Sequence, residues 1–462
     1  MDKMKIGLLP LYLKLYDDEQ LRVVERVDGF CEVIKQEFVN RDLDVILAPI
    51  CRIKEEFTSA VDLFESHNVD AIVTLHLAYS PSLESIDALS STKIPIIVCD
   101  TTPTFEYGPD QNPEELMFNH GIHGVQDMCN LLLRRGKAFQ IEAGHWKSSD
   151  VLERVVRHVS SARMYSHFQG QKVGIIGEPF KGMGDFFVPE KKLMLDFNIE
   201  TCKLESDVLI ACYSAVSDED VEKEIDTDKS CFAIEELDQT AYKRSIKTQL
   251  ALEKWIGDEK IKAFSFNFLH ITSEIGFETV PFLAASKLMS RGIGYGGEGD
   301  LLTASLVSSL MSVFPETSFT EMFCPDWAEN RIFLSHMGEL NYKLTDGMAR
   351  LIDMDYRFSD VENPVYAVGR FKPGKACITN LLPLADGYRL IISSIEICAV
   401  TDIDRMQDSA HGWFKPKNGS ISDYLADYSR LGGTHHIALT YTDELETIRQ
   451  FGIMMGFDVV ML

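Results

Sequence analysis

The chain has 462 residues, more than one ordinary hydrophobic core holds, so two or three domains are expected. Hydrophobic residues make up 45% and charged residues 25%, the balance of a globular protein in water, and no apolar run is long enough to span a bilayer. A formal net charge of −26, with no Lys/Arg-rich stripe to offset it, argues against nucleic acid and anionic membranes as partners.

The opening segment, Met1-Asp2-Lys3-Met4-Lys5-Ile6-Gly7-Leu8-Leu9-Pro10, lacks the long apolar stretch and small-residue cleavage site of a signal peptide and reads as a buried strand. Further buried strands are predicted at 45–48, 71–75 and 94–98, alternating with helical spacing over 18–40, 59–67 and 113–135. Strands alternating with helices predict a parallel sheet covered on both faces. A second unit of the same kind starts near Gln171. It has a strand at 172–176, a glycine-containing turn at 177–184, a helix at 237–258, a strand at 263–268, and helices at 280–290 and 300–313. From about Thr345 the pattern changes to short β-rich segments at 365–371, 376–382 and 388–396, separated by Gly/Pro turns. The chain ends on a helix over 444–455 and a strand over 458–461. The expected fold is therefore α/β: two doubly wound parallel-sheet domains, 1–170 and 171–344, then a β-rich, barrel-like C-terminal domain, 345–462.

The ten cysteines are scattered and show no C-x-x-C spacing, which predicts reduced thiols in a cytoplasmic protein rather than a zinc ribbon or redox pair.

Four places combine ionisable residues with tight backbone signals. Gly292-Ile293-Gly294-Tyr295-Gly296-Gly297-Glu298-Gly299-Asp300 contains a formal G-x-G-x-x-G, but the segment before it reads as helix, not the strand a dinucleotide fingerprint needs. A glycine-dense turn presenting Glu298, with Asp300 capping the next helix, is the better account. Glu321 stands among apolar and hydroxyl residues in Thr317-Ser318-Phe319-Thr320-Glu321, as an inward carboxylate on a strand does. His336 ends the apolar run Ile332-Phe333-Leu334-Ser335-His336. In Gly432-Gly433-Thr434-His435-His436, two adjacent histidines on an extended strand point opposite ways, so at most one is expected to be a direct ligand. Each has a bland alternative: a solvated turn glutamate, or a satisfied structural histidine. Together, two carboxylates and two imidazoles suit manganese, cobalt or iron(II) better than calcium or zinc.

At these residues the sequence resembles the L-arabinose isomerase family. The resemblance runs from about Ala71 to His436, through Leu75-His76, Ile122-His123-Gly124, Gly144-His145-Trp146, Gly297-Glu298-Gly299-Asp300, Thr317-Ser318-Phe319 with Glu321, Ser335-His336-Met337, and Gly432-Gly433 with His435-His436. It implies an aldose–ketose isomerase with a divalent cofactor, typically Mn2+, held by Glu298, Glu321, His336 and His436. It implies proton transfer through an enediolate with Glu298 and Glu321 as the acid/base pair. His123 falls on a position near the sugar that serves a neighbouring active site, in a homotrimer or homohexamer with intersubunit sites. Met183-Gly184 stands where the family has a Met-Arg pair, which makes Met183 a second expected sugar contact. His76 and His145 match family positions without an implied role. The family's N-terminal Ser-Gln-His-Leu-Tyr-Gly is absent, and Pro10–Tyr16 occupies that region. The expected substrate is accordingly a pentose, deoxyhexose or related sugar. A sugar epimerase or lyase on the same scaffold, and a non-catalytic sugar-binding protein, are the competing readings.

Overall fold

The computed structural model describes residues 3–18, 23–401 and 403–462, with backbone alone at 23–25. They divide into two compact units, 1–166 and 167–462.

The first unit is a five-stranded parallel sheet, built from β1 (Lys5–Leu11), β2 (Asp44–Leu47), β3 (Ala71–His76), β4 (Ile96–Asp100) and β5 (Phe139–Ala143) in the order β2-β1-β3-β4-β5. β3 is buried along its whole length, which is why it reads as an unbroken apolar run rather than an alternating one. Phe57, Phe64, Ile72, Val98, Met128 and Leu132 pack its core. Gly7 admits Phe64 against β1, since a Cβ there would lie 2.5 Å from the ring. Burying a phenylalanine of this kind contributes roughly 1.5–3 kcal/mol.

Helix boundaries differ from the sequence expectation for local reasons. The helix expected at 59–67 spans Lys54–Ser66, because the Glu56 carboxylate accepts the Arg52 and Ile53 N–H groups at 2.6 and 3.3 Å and caps an earlier start. The helix expected at 113–135 is broken. Pro113–Glu115 is a 3-10 turn, Leu116–Asn119 a short helix, and Ile122–Arg134 the main one. Gly121 sits at the break, where a Cβ would lie 2.3 Å from the His76 carbonyl oxygen. Of the helix expected at 18–40, Val23–Val39 is helical, while 19–22 lie outside the described residues.

The second unit holds two sheets. Its strands are β6 (Lys172–Ile176), β7 (Glu200–Lys203), β8 (Phe232–Ile234), β9 (Ala263–Phe266), β10 (Gly294–Gly297), β11 (Thr317–Asp326), β12 (Arg331–His336), β13 (Ala349–Asp353), β14 (Val365–Arg370), β15 (Gly374–Pro383), β16 (Tyr388–Ile397), β17 (Ala410–Pro416), β18 (His436–Thr440) and β19 (Asp458–Met461). A parallel sheet runs β10-β9-β6-β7. The rest form a ten-stranded sheet in which β16-β15-β18-β11-β12-β17 are antiparallel throughout and β16 pairs again with β17, closing a six-stranded barrel. Closure leaves those six strands without a free edge. Leu334, Ile378, Ile391, Phe414, Ile437 and Leu439 are among the buried residues of this core. Two parallel-sheet α/β folds and an antiparallel barrel are thus the architecture the sequence predicts.

Among the described residues, no helix is long and apolar enough to cross a membrane. All ten cysteines are free thiols.

Candidate metal centre

The glycine-rich segment is not a turn throughout, as the sequence suggests. Residues 294–297 are strand β10, with turns on either side at Gly292 and at Glu298–Gly299. The glycines serve packing: a Cβ on Gly294 would lie 2.4 Å from the Ala304 carbonyl, and one on Gly296 2.4 Å from that of Asp300. The helix Leu301–Met311 can therefore lie directly against the strand. Asp300 caps that helix, its Oδ1 accepting the Thr303 N–H at 2.8 Å. Glu298 adopts a left-handed φ of 60°, costing on the order of 1–3 kcal/mol for a residue with a Cβ. The turn is clamped from both sides. The Glu298 carbonyl accepts the Phe180 N–H at 2.9 Å, and the Gly299 N–H donates to Ser265 Oγ at 2.8 Å. Its carboxylate is thereby held inward, and the residue is buried.

Glu321 arrives by strand alternation. On β11 it shares a face with Phe319 and lies opposite His436 of β18 on one side and Ser335 of β12 on the other. His336, the last residue of β12, adjoins this position. Phe319 makes edge contacts with His336 and His436, ring centroids 4.8 and 5.0 Å apart, and fixes both rings.

Three imidazoles and two carboxylates converge here. His436 Nε2 is 3.2 Å from Glu321 Oε1 and 3.6 Å from Glu298 Oε2. His336 Nε2 is 3.7 Å from Glu321 Oε1. His435 Nε2 is 3.7 Å from Glu321 Oε1 and 3.9 Å from Glu298 Oε2. Each ring is held through Nδ1 by a carboxylate: His436 by Asp300 at 3.0 Å, His336 by Glu339 at 2.6 Å and His435 by Asp185 at 2.6 Å. Carboxylate–imidazole pairs fix the tautomer and leave Nε2 for a ligand. Glu339 is itself anchored by the Tyr295 hydroxyl at 2.7 Å and the Gly338 N–H at 2.8 Å.

The donor set fits a divalent cation. Glu298 Oε2 and His436 Nε2 are buried without a hydrogen-bond partner, an arrangement that costs free energy unless something satisfies both. Ligand atoms of Glu298, Glu321, His435 and His436 all lie within 4.8 Å of one another. Mixed carboxylate oxygen and imidazole nitrogen suits manganese, iron(II) or cobalt.

Electrostatics point the same way. Burial raises the Glu298 carboxyl, but the His435, His436 and His336 imidazoles facing it outweigh burial and bring the group down to about 2. Burial opposes charge on His436, yet its bond to Asp300 and the nearby Glu298 and Glu321 carboxylates hold its pKa well above the usual imidazole range. His435 is pushed up to about 9, burial being outweighed by Asp185 and Glu298. Imidazolium protons and a divalent cation are alternative ways of neutralising the same carboxylates.

The structure brings Glu298, Glu321, His336 and His436 together. It differs from the sequence reading at His435, which faces the same carboxylates as His436. β18 begins only at His436, so the alternation rule does not govern the residue before it. Met183 follows the turn at Lys181–Gly182, where Gly182 has a φ of 100°; Asp185, two residues on, is the residue that reaches the cluster. His123 belongs to the first unit. It is exposed beside His120 at the start of the helix Ile122–Arg134, on a cavity of about 320 Å³ also lined by Thr104, Phe105 and Asn119. His76 is buried at the end of β3 with Nδ1 3.0 Å from Ser80 Oγ, and His145 packs against Trp146 and Phe105. Sequence reasoning missed Glu339 and Asp185. The first had a usable signal, the three-residue spacing from His336; the second had none.

The family models for the L-arabinose isomerase central domain and C-terminal domain match residues 189–315 and 316–458. L-arabinose isomerase of Shouchella clausii (strain KSM-K16) is 23% identical, over 99% of this chain and 93% of its own length. Those of Halalkalibacterium halodurans and Bacillus licheniformis are 24% and 25% identical, over 85% and 87% of this chain and 80% and 83% of their own lengths. A solved periplasmic solute-binding protein from Actinobacillus succinogenes 130z with bound D-allose is similar over 67% of this chain and 92% of its own, at 15% identity and a TM-score of 0.16, too low to carry an argument.

Proposed function

Because the chain belongs to the L-arabinose isomerase family, we propose that it is an aldose–ketose isomerase, an intramolecular oxidoreductase acting on a pentose, deoxyhexose or related sugar in the cytoplasm. The observation that carries the reading is the meeting of Glu298, Glu321 and His436, with two buried polar atoms lacking partners.

Glu298, Glu321, His336 and His436 would hold a divalent ion, manganese first, with cobalt or iron(II) as alternatives. When bound, that ion polarises the sugar's carbonyl and adjacent hydroxyl oxygens as a Lewis acid. The chain's own residues do the rest. One of the two glutamates takes the proton from C2 of the aldose and returns it to C1, while the other serves the oxygens, moving the hydroxyl proton from O2 to O1. The net change is one proton moved between carbons and one between oxygens. Phe186, stacked on His436 at 4.7 Å, and Phe319, edge-on to it at 5.0 Å, hold that imidazole between them.

His123 is proposed to contact the sugar in a neighbouring copy of the chain, within a homotrimer or homohexamer, and Met183 within the same site. The test is ketose formation from a panel of aldoses by protein stripped of metal and reloaded with Mn2+, run in D2O. Carbon-bound deuterium in the ketose supports proton transfer through an enediolate; ketose without deuterium favours a hydride shift; no ketose from any aldose defeats the isomerase reading.

A further inference from the structure

Two of the three carboxylate–imidazole pairs are sealed inside the protein. Side-chain exposure is 0% for both His436 and Asp300, and 4% and 1% for His336 and Glu339. The third is open, with His435 at 35% and Asp185 at 38%. Asp185 lies 250 residues from its partner, on the segment between β6 and the helix Glu190–Phe197. One oxygen of it, Oδ2, takes both the His435 backbone N–H at 3.0 Å and Nδ1 at 2.6 Å. The adjacent Phe186 stacks on His436, interplanar angle 24°, and tilts against His435 at 5.6 Å. A single segment thus grips both histidines.

We propose that His435 is a third imidazole of the cation site, and that Asp185 is the positioning residue that aims it. The inference rests on the metal-site reading above. His435 Nε2 stands 3.7 Å from Glu321 Oε1, the same separation as for His336. The set of described residues whose ligand atoms all fall within 4.8 Å contains His435 and not His336. With Nδ1 donating to Asp185, the neutral ring carries its lone pair on Nε2, toward the glutamates, as His436 does through Asp300. It is the pair of the three that lies nearest solvent.

The experiment titrates the full, metal-stripped chain with Co2+ alone, reading affinity by calorimetry and ligand field by visible absorption, independent of turnover. Asp185→Ala should weaken binding by about 10-fold or more. It should shift the visible band as His435→Ala does, and the double variant should lose no more than either single one. Asp185→Glu should restore part of the loss. Asp226→Ala, removing a carboxylate bonded to Lys229 on the surface, controls for net charge and should bind as the parent does. Parental affinity and spectrum in both Asp185→Ala and His435→Ala overturn this inference while leaving the cation site standing. A parent chain that takes up no Co2+ overturns the cation site itself.

Discussion

Glu321 of β11 and His436 of β18 are direct partners across an antiparallel ladder, and their side chains meet with Oε1 and Nε2 3.2 Å apart. Strands thus fix one carboxylate and one imidazole, whereas Glu298 reaches the same point from the end of a parallel sheet, through a residue in a left-handed conformation. Barrel and parallel sheet meet at the centre, so changes there separate chemistry from folding.

Glu298→Gln and Glu321→Gln keep the shape of each side chain and remove the base. Each should lower the turnover of aldose to ketose by roughly 10²- to 10⁴-fold, as expected for loss of a positioned acid/base group. Steady-state assays with protein reloaded in excess Mn2+ check this; turnover within a few-fold of the parent would remove the residue from the proton path.

Neighbouring glycines should fail differently. In Gly296→Ala the new Cβ meets backbone at 2.4 and 2.8 Å, so about 1–3 kcal/mol of folding stability should be lost. In Gly297→Ala it meets His336 Nε2 at 3.0 Å and Phe319 Cζ at 3.1 Å, so metal affinity should fall more than stability does. Urea unfolding alongside a Mn2+ titration separates the two effects.

Lys287 is buried, bonded to Asp228 and, at 2.5 Å, to Glu224. Lys287→Met strands the Asp228 carboxylate with the Tyr242 hydroxyl, 2.9 Å away, and should cost roughly 3–5 kcal/mol. Adding Asp228→Asn should recover part of that loss in the same urea measurement.

Acid should weaken the first unit through His76. Burial holds its pKa down to about 3, against an ordinary value of 6.5. For a depressed folded value the stabilising contribution is complete above 6.5 and is lost as the pH falls toward 3, at up to about 1.4 kcal/mol per unit. Between about pH 6 and 5 the parent should lose roughly 1 kcal/mol more than His76→Asn. Equal losses would show that this histidine does not set the acid limit.

Much of this was legible in the sequence because short-range patterns encode it. The unbroken apolar run of β3 marks a strand buried on both faces, and Phe319 and Glu321, two residues apart, share a face by alternation alone. Asp300 announces a helix start through its position before Leu301. What escaped depends on distant pairings. A barrel-like domain was legible, but which strands close it was not: the β16–β17 pairing leaves no local mark, nor does the Asp185–His435 bond. The alternation rule misled at His435 because the ladder starts one residue later. The broken helix near Gly121 reflects contact with the end of β3, not helix propensity.

The most direct test is an anomalous-scattering map at the manganese edge from crystals of the Mn2+-loaded protein with a bound polyol. One peak ligated by Glu298, Glu321 and His436 is the predicted result. A chain that binds Mn2+ stoichiometrically in solution yet shows no peak among those residues, or shows it elsewhere, would contradict the account.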